Sequence, residues 1–122
     1  LSSELAKRAV ACKHWRWLAG MLTQNTLRVL RVDDERHVFA WVVQHNHGWF
    51  LSVDALPDLD DPATLGCLLA LVREAWSDSS LCANDAGAYD LMFWHVYTDD
   101  KFVSVGCQTE AEALVAALEA AP

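Results

Sequence analysis

Trp41 and Trp94 each open the same run of residue types, and this recurrence constrains the chain more than any single motif. In the first copy Trp41-Val42-Val43 leads through residues 44–48 into Trp49-Phe50-Leu51-Ser52-Val53. In the second, Trp94-His95-Val96 leads through residues 98–100 into Lys101-Phe102-Val103-Ser104-Val105. The shared skeleton is Trp, two residues, a polar turn and Phe-x-Ser-Val, followed in each copy by a helical pattern. A unit that recurs in this way reads as an internal ββα duplication, with the two copies packed together.

The rest of the chain fits around those units. Ser3 is placed to cap a helix over residues 4–14, in which Leu5, Ala9 and Cys12 share a face, and Gly20 is placed to end it. Residues 27–32, 37–43 and 49–53 read as three strands of an antiparallel meander, turning at Asp33-Asp34-Glu35 and at Asn46-His47-Gly48. Asp61 followed by Pro62 is a strong helix start, and Leu65, Leu68, Leu69, Val72, Ala75 and Trp76 continue it as one apolar stripe. Gly66, Cys67 and Ala70 on the other side carry no charge, so this helix is expected to be covered on more than one side. Residues 77–87 read as a polar loop, 89–97 as the longest strand and 102–105 as its partner. Thr109 and Glu112 have capping-box spacing before a last helix over 110–120.

The expected fold class is therefore α+β in the order α-βββ-α-ββ-α, a single antiparallel sheet of about five strands with helices packed on it. One domain spans 1–122, comprising a basic N-terminal helical part (1–25), a first sheet-and-helix unit (26–77) and a second ββα unit (88–122). Alternation adds a constraint. Phe39, Trp41 and Val43 fall on one side of their strand and Val38, Ala40 and Val42 on the other; both sides are apolar. Helices can cover one face, so a partner subunit, a ligand or the N-terminal segment is expected to shield the second.

Charge narrows the partners. Residues 1–36 hold seven Lys/Arg against four acids, a balance of +3, while residues 37–122 hold two against thirteen, a balance of −11. Most of such a surface repels a polyanion, and nucleic acid is disfavoured. No apolar run reaches the roughly 18 residues of a membrane span. The opening residues show no secretory pattern, so a cytoplasmic setting is expected. Cys12, Cys67, Cys82 and Cys107 form no Cys-x-x-Cys pair and read as buried free thiols of a reducing compartment, with a disulfide as the alternative.

Chemistry-bearing patterns are sparse. His45 and His47 could project to one side as metal ligands, and Cys12 and His14 are another incomplete pair; neither has a third ligand at fixed spacing, so no metal is expected. His95 shares a strand face with Leu91, Phe93 and Tyr97 and reads as a hydrogen-bonded core histidine rather than a general base. The chain has no nucleophile elbow, phosphate-cradling loop or His-Glu-x-x-His helix, so neither an enzyme nor a cofactor is expected. Trp41, Trp49, Trp76 and Trp94 fall within strands or a helix and read mainly as core. Trp15 and Trp17 interleave with Lys13, His14 and Arg16. This patch reads either as a contact surface or as a helix end tucking a tryptophan under the sheet while its bases offset the acidic body.

Ala11-Cys12-Lys13-His14-Trp15-Arg16-Trp17 followed by Gly20-Met21, the run from Leu56 through Asp61-Pro62 to Trp76, and Thr109-Glu110-Ala111-Glu112-Ala113-Leu114 together resemble small, functionally uncharacterised proteins of bacteriophage and prophage regions. The resemblance covers about a third of the chain. It implies a mobile-element context, with no activity and no functional residues. That family's first segment often opens with Cys-x-x-Cys; Ala9 takes the place of the first of these cysteines, so no metal site is implied.

The expected role is a non-enzymatic binding module, homodimeric through apolar sheet surface. Two alternatives place binding elsewhere. One is a small apolar or cationic ligand in an aromatic cleft between the two ββα halves, lined by Trp41 and Trp94 with His95 nearby. The other is regulation of a host or phage protein through the basic and aromatic patch from Lys13 to Trp17, with Trp15, Arg16 and Trp17 as its contact residues.

Overall fold

The computed structural model describes residues 3–42, 47–85, 93–99 and 101–122. Its elements run α1 (Ser3–Ala11), β1 (Leu27–Val32), β2 (Val38–Val42), β3 (His47–Phe50), α2 (Pro62–Ala75), β4 (Cys82–Asn84), β5 (Trp94–Tyr97), β6 (Phe102–Cys107) and α3 (Glu110–Ala120). The class is α+β, as expected. The single sheet is not found: β1-β2-β3 and β4-β5-β6 form two separate three-stranded antiparallel sheets. The additional strand, β4, lies inside the polar stretch read as a loop. It is only three residues long, too short for a period-two pattern to show. The first residues of the strand expected over 89–97, and the His45 position, lie outside the described residues.

Local signals at the two later helices operate as the residue types dictate. The Asp61 carboxylate accepts the Thr64 N–H at 3.0 Å and Pro62 occupies the first turn of α2. Thr109 Oγ1 accepts the Glu112 N–H at 3.1 Å, while the Glu112 carboxylate accepts the Gln108 N–H at 2.9 Å, one residue earlier than in the usual reciprocal box. The first helix ends sooner than its apolar spacing suggests, at Ala11. Gly20 does not end it. With φ +101° Gly20 turns the chain so that its N–H reaches Val29 O and the Val29 N–H reaches Met21 O, both at 2.8 Å.

The core is organised around α3, which packs against α1, α2 and all three strands of the second sheet. Ala111, Ala113, Leu114, Val115, Ala117 and Leu118 are buried there against Leu5 and Ala9 of α1, Leu68, Leu71 and Val72 of α2, and Val96 of β5. Truncating a fully buried leucine such as Leu114 costs about 2–5 kcal/mol. In α2 the covered side is narrower than expected: Gly66 and Ala70 are exposed. Arg8 to Glu119, Arg16 to Glu74 and Arg28 to Asp61 are ion pairs that join the basic N-terminal third to the acidic remainder.

Each copy of the recurring block contributes a hairpin and a helix, but the likeness stops short of register and packing. Trp41 stands opposite Gly48, whereas Trp94 stands opposite Cys107. The second hairpin is also irregular on both sides of Val96, while the first pairs evenly. Its helix, α3, lies on its own sheet, and α2 packs on α3.

Candidate functional site

The first sheet has one covered and one open face. Val29 and Ala40 are paired and buried, so their face points into the molecule; Phe39 and Trp41 alternate to the other side. Following the inner face outward leads from the Val29–Ala40 pair to the Val32–Val38 pair, beyond the bulge at Leu30. Core packing thins out here, reaching Val38 and not Val32. Val32 remains exposed and Val38 is half-buried.

The N-terminal segment supplies the facing wall. After α1 residues 15–18 belong to no helix or strand, and the rings of Trp15 and Trp17 meet edge to face with centroids 5.4 Å apart. Between them and the sheet end lies a cleft of about 680 Å³, bounded also by Val10, Val53 and Ala55 and rimmed by Arg16, Asp33, Asp34 and Arg36. Of the expected patch from Lys13 to Trp17, Trp15, Arg16 and Trp17 line this cleft and Lys13 and His14 do not. Each tryptophan packs partly against the core, and each also lines the cleft.

The polar groups of the segment are mostly engaged. Arg16 pairs with Glu74 on α2, and His14 Nε2 lies 2.7 Å from the carbonyl oxygen of Pro122. Lys13 is exposed. Trp15 Nε1 is buried without an acceptor among the described residues, although indole N–H groups normally find one when buried. On the opposite rim the Asp33 carboxylate accepts the N–H groups of His37 at 2.8 Å and Glu35 at 3.0 Å and lies 3.1 Å from His37 Nδ1. The backbone bond from His37 leads the effects that hold this carboxyl below its ordinary range.

Trp41, Trp94 and His95 are placed apart from this cleft and from one another's faces. Trp41 is half-buried on the outer face of the first sheet, in the row Arg28–Trp41–Gly48. Trp94 shares the inner face of the second sheet with buried Val96 and packs against the core. The two therefore do not wall a common cleft. His95 lies on the outer face with Tyr97, as alternation requires, but that face is away from the core; its ring meets Tyr97 at 5.0 Å and Phe102 at 5.3 Å. A strand pattern apolar on both sides gave no means of telling which face the helices would choose.

The outer faces carry a feature that single-residue reading missed. Phe50 meets His37 at 6.0 Å and Phe39 at 5.8 Å on one sheet; Phe102 meets His95 and Tyr97 on the other. Phe50 is 65% exposed and Phe102 62%. The recurrence of His-x-aromatic, with Phe on the neighbouring strand, was present in the sequence at His37-x-Phe39, where His37 directly precedes β2, and at His95-x-Tyr97 within β5, and marks both trios.

Among the described residues no group of three or more His, Cys, Asp and Glu side chains is arranged to hold a metal ion. All four cysteines are free thiols, and burial raises the pKa of Cys12, Cys67 and Cys107. No described helix is long and apolar enough to cross a membrane. Comparison of the chain with protein-family models, with curated proteins and with solved structures finds no match.

Proposed function

We propose that the chain is a non-enzymatic binding module that receives an apolar group in the cleft between the Trp15–Trp17 segment and the outer end of the first sheet. The observation that carries this reading is the exposed Val32 beside half-buried Val38 at the outer end of the inner sheet face, with two tryptophans lining the cleft against it. The cleft combines apolar and aromatic side chains with four charged ones, and its volume falls in the customary range of small-molecule sites, about 300–1,000 Å³. A mobile-element setting is compatible with this role.

Photolabelling tests it. A neutral benzophenone probe should attach within residues 10–17 or 32–38, and Val32→Lys, at an exposed position, should abolish the labelling while leaving the melting temperature in place. Labelling scattered over the surface, or indifferent to both Val32→Lys and Val53→Lys, would sink the reading.

A second reading concerns assembly. The two outward aromatic trios leave large apolar side chains in water, and such patches commonly mark contacts between copies. On this reading the module is a homodimer joined through an outer sheet face.

A further inference from the structure

Four charged side chains line the cleft, and the structure disposes of two of them. Arg16 is taken up by Glu74, and Asp33 by His37 and the backbone of its own turn. Asp34 and Arg36 remain. Both are exposed at the rim, and neither forms an ion pair among the described residues. They are two residues apart in the β1–β2 turn, where Arg36 adopts φ +66°, a left-handed conformation that fixes the path of the chain at this point. A cleft of mixed lining, with two tryptophans and valines beside charged groups, thus presents one anion and one cation that no ion pair among the described residues takes up.

Resting on the cleft reading above, we infer that the occupant is a zwitterion with an apolar side chain, of the type of a free aromatic or aliphatic α-amino acid. Its carboxylate meets the Arg36 guanidinium, its ammonium meets the Asp34 carboxylate, and its side chain enters between Trp15, Trp17 and the Val32–Val38 pair. A ligand bearing a single charge answers one rim group and is repelled by the other. A neutral apolar ligand answers neither. Charge-assisted hydrogen bonds of this kind are stronger than neutral ones, and the low-dielectric walls beside them reduce screening. Because both partners sit at the exposed rim, the expected affinity is weak, on the order of 1 mM for a molecule of this size.

The test uses three ligands of one shape: phenylalanine, phenethylamine and 3-phenylpropanoate, titrated into the full chain and followed by tryptophan emission. Phenylalanine should bind about tenfold more tightly than either singly charged analogue, each exposed charge pair contributing a modest factor. Arg36→Ala should reduce phenylalanine to the level of phenethylamine, and Asp34→Asn should reduce it to that of 3-phenylpropanoate. Thermal melts of both variants should match the parent, since both side chains are solvated. Equal affinity for the three, preference for a single charge, or no response to any of them would overturn the inference. In each of those cases, cleft labelling by the neutral benzophenone probe would leave the binding-module reading standing, and loss of that labelling would remove both.

Discussion

The Arg28 guanidinium donates through one nitrogen to the Asp61 carboxylate and to the Gly20 carbonyl, each at 2.8 Å, and so ties β1 to the start of α2. Asp61 also caps α2 through Thr64, so one carboxylate serves both a helix end and a strand. Asp61→Ala should therefore cost more than an ordinary cap, about 2 kcal/mol, because it also leaves Arg28 unpaired. Asp61→Asn, which keeps the cap, should cost about 1 kcal/mol. Urea denaturation of the two variants checks the order; equal losses would mean that the cap to Thr64 contributes nothing beyond the Arg28 contact.

The same residue sets an acid response. Burial pushes the Asp61 pKa up, but hydrogen bonds from Arg28 and Thr64 outweigh it and the net shift is downward. Glu119 is lowered chiefly by its hydrogen bond from Arg8. A carboxyl whose folded pKa lies below its unfolded value stabilises the fold fully above the unfolded value, about 4, and loses that contribution as pH falls through the folded one. Stability should hold from pH 7 to about 5 and then decline, with a shallower decline in Asp61→Asn. Denaturant midpoints measured at stepped pH provide the readout, and parallel declines in the parent and variant would contradict the assignment.

Trp15 gives a contrast between two substitutions. Its buried N–H has no acceptor among the described residues, and an unsatisfied buried donor costs about 1–3 kcal/mol. Trp15→Phe removes that donor along with some apolar surface, so stability should change by less than about 1 kcal/mol. Trp15→Ala removes the packing and should cost about 3 kcal/mol. A large loss in Trp15→Phe, measured by chemical denaturation, would show that the indole N–H is bonded.

Two glycines should respond in opposite directions to alanine. At Gly66, exposed within α2, a Cβ meets nothing within 4 Å, so Gly66→Ala should stabilise by about 0.5–1 kcal/mol. At Gly48 a Cβ would stand 2.7 Å from Ala40 O and 2.8 Å from Phe39 Cζ, so Gly48→Ala should destabilise by about 1–3 kcal/mol. Melting temperatures of the two variants settle both.

The assembly reading predicts that the chain sediments as a dimer at low micromolar concentration. Phe50→Lys and Phe102→Lys change solvated side chains, so each should leave the intrinsic stability of a protomer within about 0.5 kcal/mol. The substitution on the interface face should release monomers. A parent chain that remains monomeric would dispose of this reading.

Residue types announced much of this fold because several signals are local. Asp61-Pro62 and Thr109 with Glu112 start helices through contacts within one turn, and those helices begin where expected. The division into two sheets was not available in the same way. It depends on which strand edges meet, and period-two alternation contains no information about edges. Trp41 and Trp94 illustrate the difference: equivalent in the recurring block, they end on an outer and an inner face because only one of the two hairpins is packed by its following helix. The cleft was half readable. Trp15, Arg16 and Trp17 stood out as an aromatic and basic run on an acidic chain, whereas Val32, Asp34 and Arg36 became neighbours only through tertiary folding.

The central place of α3 has a consequence for synthesis. Every element that packs on this helix, α1 and α2 included, precedes it along the chain and leaves the ribosome first. Until residues 110–120 emerge, the apolar sides of those elements have no permanent cover. The nascent chain therefore passes through a period in which it depends on speed or on chaperones to stay out of aggregates.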